Sequence, residues 1–156
     1  MHNIDTITHA ALDALAWATA DLDSDPSMED HDPSFKYCEH LDGYGYEWNP
    51  DSVAFMRDRV AAFMETAAPI LDRLANLGFT LYADDLARIG HDYTLTCERH
   101  GAGFWDRRME AGTAPGSPLG CQIQDELDKL TDICHDDGGL ECYADHDTEN
   151  LRLLNA

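Results

Sequence analysis

The chain has 156 residues, 44% of them hydrophobic, which is enough for one core in one domain and too little for two secure ones. Its 31 Asp and Glu against 10 Lys and Arg give a formal charge of -21. That charge repels nucleic acid and anionic membranes and attracts basic proteins and cations, so direct nucleic-acid binding and membrane association are not expected.

Acids spread among apolar residues exclude a low-complexity acidic tail. Two causes of the charge stay open on composition alone: adaptation to a high-salt cytoplasm, and imitation of DNA by carboxylates displayed in place of phosphates. Cys38, Cys97, Cys121, Cys134 and Cys142 form an odd set with no Cys-x-x-Cys pair and no signal peptide, which predicts reduced thiols in a cytoplasmic protein. No apolar run has the length of a membrane span.

A first helix is expected from Asp5 or Thr6 to about Ala20, with Ile7, Ala11, Leu12, Leu15 and Ala18 as its stripe. Trp17 lies at the margin of that stripe, where core packing and a partner-facing role both fit. Residues from about 21 to 49 then read as a long acidic connection. Asp21, Asp23, Asp25, Glu29, Asp30, Asp32, Glu39, Asp42 and Glu47, followed by Asp51, face one base, Lys36. So long a connection calls for a functional or a disorder explanation. Its aromatics Tyr37, Tyr44, Tyr46 and Trp48 either pin it to the body or form a contact surface.

The second helix opens with Asn49 as cap and Pro50 in the first turn. Val53, Met56, Val60, Phe63, Ala67, Leu71 and Leu74 keep helical spacing up to Gly78, and Pro69 predicts a kink or break. Phe79, Leu81 and Tyr82 suggest a short extended piece, followed by a helical turn from Asp84 or Asp85 to Ile89. From Gly90 the alternation of Tyr93, Leu95 and Cys97 with Asp92, Thr94, Thr96 and Glu98 predicts a strand. Gly101 and Gly103 would reverse it into a second strand at Phe104 and Trp105.

Gly112 to Gly120 reads as a loop. Ser117 then caps a helix begun by Pro118, with Ile123, Leu127, Leu130 and Cys134 inward and Gln122, Asp125, Glu126, Asp128 and Asp132 mostly outward. Asp137, Gly138 and Gly139 end it before a third strand alternating at Leu140, Cys142 and Ala144. The tail, with Leu151, Leu153 and Leu154, docks or forms a last strand. Asp125 to Glu149 again holds ten acids, including Asp136 and Asp137, against Lys129. The expected fold is a single α+β domain over residues 1–156, with three or four helices on a small antiparallel sheet of about three strands.

Chemistry-bearing patterns are sparse. Asp21, Asp23 and Asp25 begin like a calcium loop, yet Pro26 stands where the turn needs Gly and Asp32 where it needs a bidentate Glu. Cys38 with His40, Cys134 with His135 and Cys142 with His146 lack closed-site zinc spacing. No cofactor is expected. His91, His100, Asp106 and Arg107 have no positioned nucleophile beside them, and a carboxylate to arginine brace from Asp92 or Asp106 to Arg99 or Arg107 explains them as well as catalysis does.

The run from Gly90 through Asp92, Cys97 and Gly101 to Gly103-Phe104-Trp105-Asp106-Arg107 resembles the signature of a family of small acidic proteins carried by bacteriophages, plasmids and their hosts. The usual form reads Gly-His-Asp-Phe-Trp-Leu-Thr-Arg, a short turn, then Gly-Ala-Gly-Phe-Trp-Asp-Arg. Thr94 replaces a frequent Trp, and the usual Arg is replaced around Cys97 and Glu98. The resemblance extends to the first helix, the helix at Asn49 and the final helix with Leu130 and Thr131, and it implies a mobile-element setting. The function this leads to is a non-enzymatic inhibitor that binds a basic host protein, a DNA- or RNA-guided defence effector of CRISPR or restriction type, as a DNA mimic. Its partner-binding residues would be Asp21, Asp23, Asp25, Glu29, Asp30, Asp32, Glu39, Asp42, Glu47, Asp125, Glu126, Asp128, Asp132, Asp136 and Asp137, with Tyr44, Tyr46 and Trp48. The competing function is an accessory or scaffold protein that uses those aromatics. A homodimer would lengthen the acidic surface in either case.

Overall fold

The computed structural model describes residues 3–20 and 40–156, and all structural statements concern these. The chain is a mixed α and β protein: α1 (Ile4–Ala18), a 3-10 turn (Leu41–Tyr44), β1 (Glu47–Trp48), α2 (Pro50–Asn76), α3 (Leu81–Asp84), α4 (Leu86–Cys97), a 3-10 segment (Phe104–Ala111), α5 (Pro118–Asp137), β2 (Cys142–Asp145) and β3 (Asn150–Leu153). The helices dominate, and the small sheet sits at one end of them.

Helix starts follow the capping chemistry. Asn3 caps α1 by accepting from the N–H groups of Asp5 and Thr6, two or three residues earlier than the sequence suggests. Asn49 accepts from Ser52 N at 2.9 Å ahead of Pro50, and Ser117 accepts from Gly120 N at 3.1 Å ahead of Pro118, both as expected. Helix α2 ends with Gly78 at φ 85, where Phe79 N–H reaches back to Leu74 O. Pro69 breaks nothing, and α2 runs unbroken for 27 residues. Pro69 and Glu65 are both exposed, so the carbonyl that loses its partner lies on the solvent side.

The expected hairpin at Gly90–Arg107 is not formed. Helix α4, capped by Asp85, continues through Cys97, and Phe104–Ala111 is 3-10 helix. Gly90 does not release the chain; it lets α4 touch α1, since a Cβ there would stand 2.0 Å from Ile7 O and 2.9 Å from Ala11 N. One turn on, Thr94 Oγ1 donates to Ala11 O at 2.8 Å. Contacts advance together along α1 and α4, so the two helices run parallel. Helix α4 closes with Arg99 in the left-handed region at φ 54 and His100 N–H bonded to Leu95 O at 2.8 Å, the arrangement usually given to glycine.

The sheet is mixed, which corrects the expected antiparallel arrangement. Its order is β1-β3-β2, with β3 central, antiparallel to β2 and parallel to β1. The tail thus supplies the middle strand, and the expected acidic connection supplies an edge. Leu153 N–H donates to Ser52 Oγ and Asn49 N–H to Leu151 O, which fastens the sheet to the start of α2. The main core gathers Ile7, Leu12, Val60, Phe63, Leu74, Tyr93, Phe104, Leu127 and Leu130, while Ala16, Leu41, Ala144 and Leu151 form a smaller one beneath Tyr44, Tyr46 and Trp48.

Candidate functional site: two acidic ridges over a braced core

Much of the Gly90–Arg107 run turns inward. Asp92 is fully buried and receives Arg107 through both carboxylate oxygens, Nη2 to Oδ1 at 2.6 Å and Nε to Oδ2 at 2.8 Å. Tyr82 Oη donates to Oδ2 at 2.8 Å, and His91 Nδ1 lies 3.2 Å from Oδ1. Burial alone would raise this carboxyl, but the hydrogen bonds of His91, Arg107 and Tyr82 and the charge of Arg107 hold it below the usual Asp value. The Asp92 carbonyl accepts from Thr96 Oγ1, which in turn accepts from Phe104 N–H at 3.0 Å. Gly103 fits against that hydroxyl, where a Cβ would fall 2.3 Å from Thr96 Oγ1. The brace between Asp92 and Arg107 therefore exists, joining a helix to a 3-10 segment and not two strands.

A second, half-buried network centres on Arg59. Its Nε donates to Tyr93 Oη at 2.8 Å and its Nη2 donates to the carbonyls of Asp137 and Gly138 at the end of α5, while Tyr93 Oη donates to Asp137 Oδ2 at 3.0 Å. Glu98 accepts from Leu140 N–H at 2.6 Å, and burial lifts its carboxyl above the usual value. Cys97 and Cys134 are free and buried beside this group. A hydrogen bond from Cys134 and the charge of Arg59 lower the Cys97 thiol, whereas burial raises that of Cys134. His91, His100, Asp106 and Arg107 do not assemble: Arg107 is committed to Asp92, Asp106 is exposed, and His91 and His100 flank the Trp17 ring at centroid distances of 6.3 and 5.5 Å.

Of the acids singled out from sequence, Asp21, Asp23, Asp25, Glu29, Asp30, Asp32 and Glu39 lie outside the described residues. Asp42 and Glu47 are exposed beside the small sheet. Asp125, Asp128, Asp132 and Asp136 are exposed at intervals of three, four and four residues, which lines them up on the outer face of α5. Asp137 is exposed beyond that line, at the Tyr93 and Arg59 network. Glu126 turns inward, contrary to the expectation: its carboxylate takes Arg73 Nε at 3.0 Å and Lys129 Nζ at 2.7 Å. Those contacts hold its pKa down against burial, and they engage both Arg73 and Lys129.

A second ridge went unread in the sequence although its spacing was visible there. Asp51, Asp58, Glu65 and Asp72 recur every seven residues and are all exposed, so they run down the solvent face of α2 over roughly 32 Å. None of the four is in an ion pair among the described residues. Arg59 meets the end of α5 and Arg73 meets Glu126 near its beginning, so α2 and α5 are antiparallel neighbours and their acidic ridges lie on adjoining outer faces. Tyr44 and Tyr46 stack at 5.3 Å and both meet the His146 ring, with Tyr46 Oη 3.2 Å from His146 Nδ1. This packing pins the segment to the turn between β2 and β3.

Among the described residues no group of three or more His, Cys, Asp or Glu is placed to hold a metal, and no helix is long and apolar enough to cross a membrane. Compared with protein-family models, curated proteins and solved structures, the chain matches none.

Proposed function

We propose that the protein is an inhibitor that occupies the basic nucleic-acid cleft of a host DNA- or RNA-guided effector and acts by occupancy, without turnover. The observation that carries this reading is the pair of uncompensated ridges on α2 and α5. Four exposed carboxylates on each helix have no cationic partner among the described residues, while Arg57, Arg73, Lys129 and Arg107 are drawn to Asp5, Glu126 and Asp92. The α2 ridge is about as long as one turn of duplex DNA. Such a surface meets a basic cleft with complementary potential and repels nucleic acid itself. The phage- and plasmid-like signature supports a mobile-element setting for that activity.

The competing accessory role draws its support from exposed rings, Trp17 at 47% and Trp105 at 43%, since Tyr44 and Tyr46 are engaged with His146. The two roles separate in a capture experiment. Immobilised protein should retain a basic host effector that is eluted by competing duplex DNA and that D125N/D128N/D132N/D136N fails to retain. A partner that withstands duplex DNA and binds the quadruple variant equally well would remove the mimic reading.

A further inference from the structure

Away from the α5 ridge, two hollows join along the flank of α1. The first, about 560 Å³, is walled by Asp13, Trp17, Asp42, Asp85, Arg88 and His91. The second, about 480 Å³, is walled by Tyr46, Glu47, Trp48 and His9, and Asp13 and Asp42 border both, so the two make one groove. Aromatic rings stand at its two ends and carboxylates at its middle.

Trp17 is the anomaly in this groove. A helix residue beside a core stripe ordinarily buries its indole, yet this one is 47% exposed, with half-buried His91 and exposed His100 as its ring neighbours among the described residues. The carboxylates of Asp13 and Asp42 accept no hydrogen bond and join no ion pair among the described residues. Among the described residues Asp13, Asp42, Asp85 and Glu47 outnumber Arg88, the one Lys or Arg on either wall, so these walls are anionic.

We infer that this groove seats an arginine-bearing segment of a basic protein partner, with one guanidinium flat against Trp17 and bonded to Asp13 and Asp42. The chemistry is selective for arginine. A planar guanidinium stacks on an indole face while its edge donates to carboxylates, whereas an ammonium is more strongly hydrated and lacks the fork. A neutral apolar segment would leave the four carboxylates without counter-charge. The inference rests on the reading of a basic partner and adds which side chain that partner presents and where.

The probe is acetyl-Arg-Gly-Arg-amide, with its lysine counterpart and acetyl-triglycine-amide as controls, titrated into isotope-labelled protein and followed by the Trp17 indole N–H and the backbone amides. The arginine peptide should shift Trp17, Asp13 and Asp42 saturably. W17A and D13N/D42N, surface changes whose folding the same spectra verify, should each weaken it at least fivefold, and the lysine peptide should bind more weakly. Shifts spread evenly over α2 and α5, equal binding by W17A, or equal binding of lysine would overturn the inference. Effector capture keeps the two proposals apart. Loss in D125N/D128N/D132N/D136N with full retention in W17A and D13N/D42N sinks the groove and leaves the mimic reading standing.

Discussion

Removing Arg107 should expose how much the fold depends on the signature. In R107A the Asp92 carboxylate, fully buried in the wild type, loses its cation and is left with the hydrogen bonds of Tyr82 and His91. Breaking one side of a buried, two-point ion pair costs about 3–5 kcal/mol. That is a large share of the roughly 5–15 kcal/mol that stabilises a domain, and at about 2–4 °C per kcal/mol it lowers the melting midpoint by roughly 10 °C. Denaturant unfolding followed by circular dichroism reads this directly. The second variant, R107A/D92N, removes the stranded charge and should recover about half the loss. A loss below about 1 kcal/mol in R107A, the level of an exposed pair, or no recovery in the double variant, would refute the account of Asp92 as a buried anion held by Arg107.

Other outcomes follow from the same geometry. Gly90→Ala should destabilise by about 3 kcal/mol, because its Cβ would meet the α1 backbone at 2.0 Å; a change under 0.5 kcal/mol in denaturant midpoint analysis would contradict the close approach of α1 and α4. Arg99→Gly should stabilise by about 1 kcal/mol by relieving a left-handed residue, read by the same assay. The Asp92 carboxyl is lowered on folding, so its contribution is complete above the unfolded value of about 3.9 and is lost as pH falls through the lower folded value. Wild type should therefore lose stability more steeply than D92N below about pH 4, and parallel curves would speak against it. Among the cysteines of the described residues, site-resolved alkylation of the native protein should modify exposed Cys121 first and spare Cys97 and Cys134, with Cys142, pushed up to about 11 by burial, slow at neutral pH.

Legibility in the sequence followed burial. Helices α2 and α5 were readable because each has one wet face, so apolar spacing, Asn49 with Pro50 and Ser117 with Pro118 all point the same way. Helix α4 was misread for the opposite reason. From Ile89 to Cys97 nearly every residue is buried, including Asp92, Thr94 and Thr96, whose polar groups are satisfied inside the protein. A stretch with so few wet positions shows almost no polar face, and the chance alternation at Tyr93, Leu95 and Cys97 then imitates a strand. The sheet was half legible: β2 fell where alternation indicated it. The parallel pairing of Glu47 and Trp48 with Asn150 and Leu151 joins segments about a hundred residues apart and leaves no local trace. The α5 ridge could be read from its acids, but Glu126 could not be told from its neighbours without Arg73, which comes from another helix.

The most direct test of the acidic ridges is the inhibition constant against a captured effector's binding to duplex DNA, for wild type and D125N/D128N/D132N/D136N side by side. Four lost charge contacts at about 0.5 kcal/mol each predict roughly 30-fold weaker inhibition, with the gap narrowing as salt rises. Equal inhibition by both proteins at low salt would contradict the claim that the carboxylates on α5 stand in for phosphates.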